Sequence, residues 1–162
     1  MQINLTPAVK GLLTGTLMIG IALASFYGGL PADSPLQYLI YLAYVLGITW
    51  TILTFRQSDK FTGAFWDNFN QGFRCFIVVT LLMVAFTALF SKLHPEFAEE
   101  SAKMYKAQLI KEEKSKTPLE IDAAVTSFKN GYTTMIVYSS IFGYLIIGAT
   151  VTAVLSAFTR RK

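Results

Sequence analysis

The sequence offers one cysteine, Cys75, and one histidine, His94. A lone thiol excludes an intrachain disulfide and any multi-thiolate metal site, and a lone imidazole excludes His-rich zinc and di-iron constellations. Charge is scarce too: 15% of residues are Asp, Glu, Lys or Arg, against about a quarter in an ordinary soluble domain. Four long stretches, 11–30, 36–55, 75–91 and 131–158, contain no charged residue at all. Ion-coupled transporters, proton relays and small multidrug-type exporters keep an acid or base at membrane depth despite its cost, so this pattern weighs against them. An intramembrane metalloprotease lacks its ligands here. Ser139, Ser140 and Ser156 have no histidine nearby in sequence to act as a base. There is no Gly-rich phosphate loop, no paired catalytic carboxylates and no nucleic-acid motif. The sequence therefore specifies no reaction, no cofactor and no metal.

What is abundant is apolar surface. Apolar residues make up 53% of the chain and aromatics 14%, with a mean hydropathy of +0.46. This composition excludes a soluble enzyme. At about 1.5 Å per residue, stretches of this length cross a hydrocarbon core of about 30 Å. The segment Pro31-Ala32-Asp33-Ser34-Pro35 joins the first two as a tight antiparallel turn, because proline interrupts helix. Ala22-Leu23-Ala24 before Ser25 resembles a signal-peptidase site, but the apolar run continues to Leu30, which favours a retained span. The expected fold is an all-α integral membrane protein with four transmembrane helices in one domain, and an extramembrane helical hairpin between the third and fourth.

Four spans place both termini and the second connection on one side. That side carries Lys10, Arg56, Lys60, Arg74, Arg160, Arg161 and Lys162 against Asp59 and Asp67. The opposite side's lysines lie in one long connection that holds as many acidic residues. Local density of positive charge makes the termini cytoplasmic by the positive-inside rule.

Two segments outside the spans have their own pattern. Phe61, Phe65, Phe69 and Phe73 recur every four residues, so a helix over about 61–74 carries them as one aromatic stripe. Such a stripe suits an interfacial helix or an extension of the third span, and it is the candidate interaction surface for a partner helix or a lipid. In the loop of about 95–130, Glu99–Lys103 and Glu112–Lys116 are i,i+4 pairs in the favourable order. Thr117-Pro118-Leu119-Glu120 then has threonine at an N-cap, proline at the first helical position and glutamate three after the cap, a helix start. Asn130-Gly131 is a weak point in the helix that follows.

Membrane helices associate by close packing at small residues. The first span offers Gly11 and Gly15, then a second row of Thr16, Gly20, Ala24 and Gly28. The second has Gly47 between Ala43 and Thr51; the fourth has Gly148, Thr152 and Ser156 beside Ala149, Ala153 and Ala157. These rows suit an intramolecular four-helix bundle, with a homodimer through the first or fourth span as the alternative. Tyr44, Trp50 and Tyr144 lie deep enough to hydrogen-bond Thr80, Thr87 or Ser140 if they face the bundle. His94 reads as an interfacial or capping residue and Cys75 as a buried structural thiol.

The order of these features is diagnostic: a glycine-rich first span, a tight turn, Phe61-x-x-x-Phe65 leading through Gly72-Phe73 into the third span, and Pro95-Glu96-Phe97 opening a charged helical loop. A Gly/Ala-rich last span and a basic tail follow. Over nearly its whole length the chain resembles the bacterial four-span proteins of Bacteroidota grouped as domain of unknown function 4199. The resemblance implies a bacterial inner-membrane setting and assigns no activity and no role to any residue; His94 before Pro95 departs from the pattern. The function expected is a non-enzymatic accessory or scaffold subunit of an inner-membrane assembly. Its partners are membrane lipid and a membrane protein or a second copy, with no nucleic acid. The alternative is a small carrier or flippase component for a lipid-linked or apolar substrate. An enzyme is left only where a partner brings the chemistry.

Overall fold

The computed structural model describes residues 5–29, 36–112 and 117–159. Among them all regular structure is helical: α1 (Pro7–Tyr27), α2 (Leu36–Arg56), α3 (Phe65–Leu93), α4 (Glu96–Glu112) and α5 (Pro118–Thr159). The turn at 31–35 and the basic tail at 160–162 lie outside the described residues.

Local chemistry accounts for the helix ends. Thr6 caps α1, its hydroxyl accepting from the Val9 N–H, and Pro7 takes the first helical position, where its missing N–H costs nothing. At the other end the Gly28 N–H reaches the Ala24 carbonyl, and Gly29 turns the chain out at φ +65°, a conformation that favours glycine. Asp67, in the first turn of α3, reaches back to the Thr62 N–H (3.1 Å) and hydroxyl (2.5 Å), placing negative charge at the helix's positive end. The Thr117 cap is a complete capping box. Thr117 donates to Glu120 from its N–H (2.7 Å) and hydroxyl (2.9 Å), and the Glu120 N–H returns a bond to the Thr117 hydroxyl (3.4 Å).

One expectation is corrected at this level. The aromatic segment is an extension of the third span, one of the two readings the sequence allows, but the joint helix, α3, starts at Phe65 and leaves Phe61 outside it. Phe61 precedes it and packs edge-on against Phe55, 6.0 Å between ring centres, because Gly63 at φ +93° turns the chain between Phe61 and the helix. The helix that starts at Thr117-Pro118 runs on as α5 into the fourth span, unbroken at the weak point Asn130-Gly131: one glycine costs a helix about 1 kcal/mol, too little to stop one carried by apolar residues beyond it.

The chain divides into two packing units, Met1–Val84 with Ile141–Lys162, and Ala85–Ser140. The first has a core of Met18, Tyr44, Ile48, Ile52, Cys75, Phe76, Val79 and Met83, contributed by α1, α2 and α3. In the second, Ala102, Leu109 and Ile121 are buried, and Tyr105 of α4 stacks on Phe128 of α5 at 4.6 Å. Lys106 pairs with Asp122 at 2.5 Å and Glu99 with Lys129 at 2.8 Å. The expected Glu99–Lys103 pair is thus replaced by a longer-range one: Lys129 offers Glu99 a direct bond across the two helices. Glu112 instead accepts from Gln108 at 3.2 and 3.3 Å, and its expected partner Lys116 lies outside the described residues.

Candidate functional site

Three features of the first unit have chemical content: the glycine contacts, a buried lysine beside an apolar groove, and the aromatic ladder at the start of α3.

The glycines let helices approach where any side chain would collide. A methyl group on Gly11 would stand 2.6 Å from the Cys75 carbonyl oxygen, and one on Gly15 2.7 Å from Leu82 Cδ2, so α1 lies close against α3. Gly47 of α2 takes the side chain of Thr14, and Gly148 of α5 takes the Tyr44 hydroxyl together with the Phe76 ring. Tyr44 uses that space: its hydroxyl donates to the Tyr144 carbonyl at 3.0 Å. The sequence offered Tyr44 only hydroxyl partners, whereas the observed acceptor is backbone, reachable because residue 148 has no side chain. A methyl group on Gly72 would stand 2.5 Å from Thr152 Cγ2, an approach that sequence spacing alone did not suggest. A methyl group on Gly20 would have nothing within 4 Å; this glycine is exposed, as are Thr16, Ala24 and Gly28 of the same row, while Ala149 and Ala153 are half-buried.

Polar atoms line the same core. Asn68 donates to the Thr159 hydroxyl at 2.8 Å, and that hydroxyl donates to the Leu155 carbonyl at 2.6 Å. Among the described residues, the Asn68 Oδ1 and the hydroxyls of Thr152 and Ser156 are buried without a protein partner. In an apolar surround each such group costs about 1–3 kcal/mol unless water satisfies it.

Lys10 departs most from the sequence expectation. Counted there among the solvated basic residues flanking the first span, it lies within α1 and is 8% exposed. Its ammonium donates to the Thr54 hydroxyl and lies 5.3 Å from the centre of the Trp50 ring, a cation–π arrangement. Thr54 passes the bond on to the Trp50 carbonyl at 2.7 Å. Among the described residues no carboxylate pairs with Lys10; the ion pairs there join other residues. Trp50, 41% exposed, also lines a groove of about 470 Å³ between α1 and α2, walled by Leu13, Leu17 and Ile21 on one side and Leu39, Leu42 and Leu46 on the other. Proximity of Lys10 to Gly11 hid this site in the sequence, because a lysine one residue before an uncharged run reads as a flank.

On α3, Phe65 stacks on Phe69 (5.6 Å) and Phe69 on Phe73 (6.3 Å), with Trp66 edge-on to both Phe65 and Phe69. Trp66 is 66% exposed and Phe73 42%. Cys75 is a free, buried thiol, its sulfur 3.9 Å from the Gly47 carbonyl. In the second unit His94 Nδ1 lies 2.7 Å from Glu96 Oε1, and its ring forms a three-ring cluster with those of Phe90 and Phe97, which also touch each other. The backbone amide of Glu96 itself, then His94, holds the Glu96 carboxyl below its ordinary pKa. Lys129 does the same for Glu99. Among the described residues no three His, Cys, Asp or Glu side chains are grouped to hold a metal.

Four of these helices, α1, residues 38–56 of α2, α3 and α5, are long and apolar enough to cross a bilayer, which makes this a multi-pass membrane protein. Residues 10–161 match the family described as protein of unknown function (DUF4199), and the chain belongs to that family. No curated protein and no solved structure matches it.

Proposed function

We propose that the protein is a non-enzymatic accessory or scaffold subunit of a bacterial inner-membrane assembly, with both termini cytoplasmic and α4 and the first part of α5 forming a periplasmic helical hairpin. The observation that carries this reading is the ordered aromatic ladder of Phe65, Phe69 and Phe73 with Trp66 two-thirds exposed beside it. Rigid aromatic side chains contribute large contact area at little entropic cost and are enriched where one protein docks on another. The positive-inside distribution supports the orientation. A photo-crosslinking residue placed at Trp66, and as control at the exposed mid-span Leu81, tests the reading in native membranes. A discrete heteromeric product from position 66 only, lost in Phe69→Ala, is expected; lipid adducts alone from both positions refute it.

A second reading, a small carrier or flippase component for a lipid-linked or apolar substrate, is favoured by the apolar groove between α1 and α2. Movement of a fluorescent lipid between leaflets of proteoliposomes, lost in Ala43→Phe at a groove-lining position, would distinguish it.

A further inference from the structure

We infer that the groove between α1 and α2 is a binding site for one anionic phospholipid, its acyl chain lying in the groove and its phosphate meeting the ammonium of Lys10. The inference rests on the multi-pass architecture, which both functional readings share, and requires neither a protein partner nor transport.

The groove fits an acyl chain in character and length. Its walls are leucines and isoleucine, with Trp50 at one end. From Leu13 to Ile21 it follows α1 for about 12 Å, and from Leu39 to Trp50 it follows α2 for about 16 Å, at about 1.5 Å per residue. One leaflet of a hydrocarbon core of about 30 Å is about 15 Å deep, so the groove accommodates one chain through one leaflet.

Charge chooses the headgroup. Lys10 is 8% exposed as a residue; its ammonium has a hydroxyl and an indole face as partners and is partly desolvated, and no carboxylate among the described residues offsets it. A cation in that state is costly unless an anion completes it. Lysines at span ends ordinarily extend their stems so that the charged head reaches water; Lys10 is instead folded against α2, beside the one residue that belongs both to its own shell and to the groove wall. Lys10 lies in the first turns of α1 and Thr54 in the last turn of α2, which closes with the exposed Arg56. The ammonium therefore stands at the end of the span, the depth of lipid phosphates. A zwitterionic lipid also has a phosphate, but its own quaternary ammonium competes with Lys10; an anionic lipid leaves the phosphate to the protein. Charge-assisted hydrogen bonding of this kind is worth a preference of about tenfold or more.

The test is native mass spectrometry of the purified, delipidated full-length protein titrated with phosphatidylglycerol and with phosphatidylcholine of identical chains. One phosphatidylglycerol per chain, bound about tenfold or more in preference to phosphatidylcholine, is expected. Lys10→Gln should equalise the two lipids, Lys10→Arg should keep the preference, and Lys60→Gln, at an exposed lysine outside the groove, should behave as the parent. Ala43→Phe, which fills the groove from a lining position, should lower occupancy by both lipids and so tests the site even if Lys10→Gln fails to fold; circular dichroism checks each variant. Equal binding of the two lipids by the parent overturns the inference, as does a preference that survives Lys10→Gln. It is equally overturned by displacement of the lipid by inorganic phosphate alone, which would make the acyl groove irrelevant, or by a lipid-free dimer, which would give the groove to a second copy. Failure here leaves the crosslinking test of the accessory reading untouched, since Trp66 is not part of the groove.

Discussion

Placing a methyl group at residue 148 should be costly in a way that Tyr44 reports. In Gly148→Ala the new carbon stands against the Tyr44 hydroxyl and at 2.8 and 2.9 Å from two ring carbons of Phe76. Overpacking of this kind costs about 1–3 kcal/mol, and displacing the Tyr44 hydroxyl from the Tyr144 carbonyl forfeits a further ~0.6 kcal/mol, the average for such bonds between membrane helices. Opposing this, alanine improves helix propensity by up to about 1 kcal/mol. Gly143→Ala, at a site on the same helix with open space around it, gains the same propensity, so that contribution cancels and Gly148→Ala should be the less stable of the two by about 1.5–3.5 kcal/mol. Tyr44→Phe removes the nearest atom and leaves the Phe76 contact, so the double variant should be more stable than additivity allows by about 0.5–1.5 kcal/mol. Reversible unfolding in mixed micelles on titration with dodecyl sulfate, followed by circular dichroism, gives all four corners of the cycle. If Gly148→Ala matched Gly143→Ala, or if the cycle were additive, the contact between α2 and α5 would not be the reason for glycine at 148.

Three further outcomes follow from other contacts. Gly11→Ala should be more damaging than Gly15→Ala in the same unfolding assay, because the first meets a backbone carbonyl that cannot step aside and the second the end of a leucine side chain. Thr117→Ala should cost the start of α5 about 0.5–2 kcal/mol, read as faster amide exchange at residues 119–121 with little change in the second half of the helix. The Glu99 carboxyl, held low by Lys129, is more acidic folded than unfolded, so its pairing is intact above the unfolded carboxylate value of about 4.3 and is lost as pH falls through the lower folded value. A carbon-detected NMR titration should place Glu99 below that reference, and Lys129→Gln should move its midpoint upward; an unchanged midpoint would refute the pairing.

The elements that the sequence made legible are those governed by one-dimensional chemistry. Uncharged runs of span length, the Thr117-Pro118-Leu119-Glu120 cap and small residues at four-residue spacing are local patterns, and each leaves its mark in the helices that form. What was illegible depends on what lies opposite. Phe61 keeps the period of the aromatic stripe but sits before a glycine with positive φ, so it leaves the helix and turns to Phe55. Glu99 has a well-spaced partner on its own helix and takes Lys129 instead. Gly11 and Gly20 look alike in sequence, yet one meets a carbonyl oxygen of α3 and the other open space. Lys10 was hidden for the same reason: its burial is set by Trp50 and Thr54, forty residues and more further along the chain.

The Tyr44 hydroxyl and the Asn68 amide both find their partners on α5, at Tyr144 and Thr159, and α5 is synthesised after the helices that carry them. While the ribosome is still making it, the first three helices are in the membrane with a phenol and a carboxamide that nothing yet answers, and with the Gly72 recess open. Arrival of α5 gives the phenol and the carboxamide nitrogen their acceptors and brings Thr152 to the Gly72 recess. Until α5 inserts, these polar groups stand in the membrane without the partners they have in the folded bundle, so docking of α5 is favoured by relieving their cost as well as by packing.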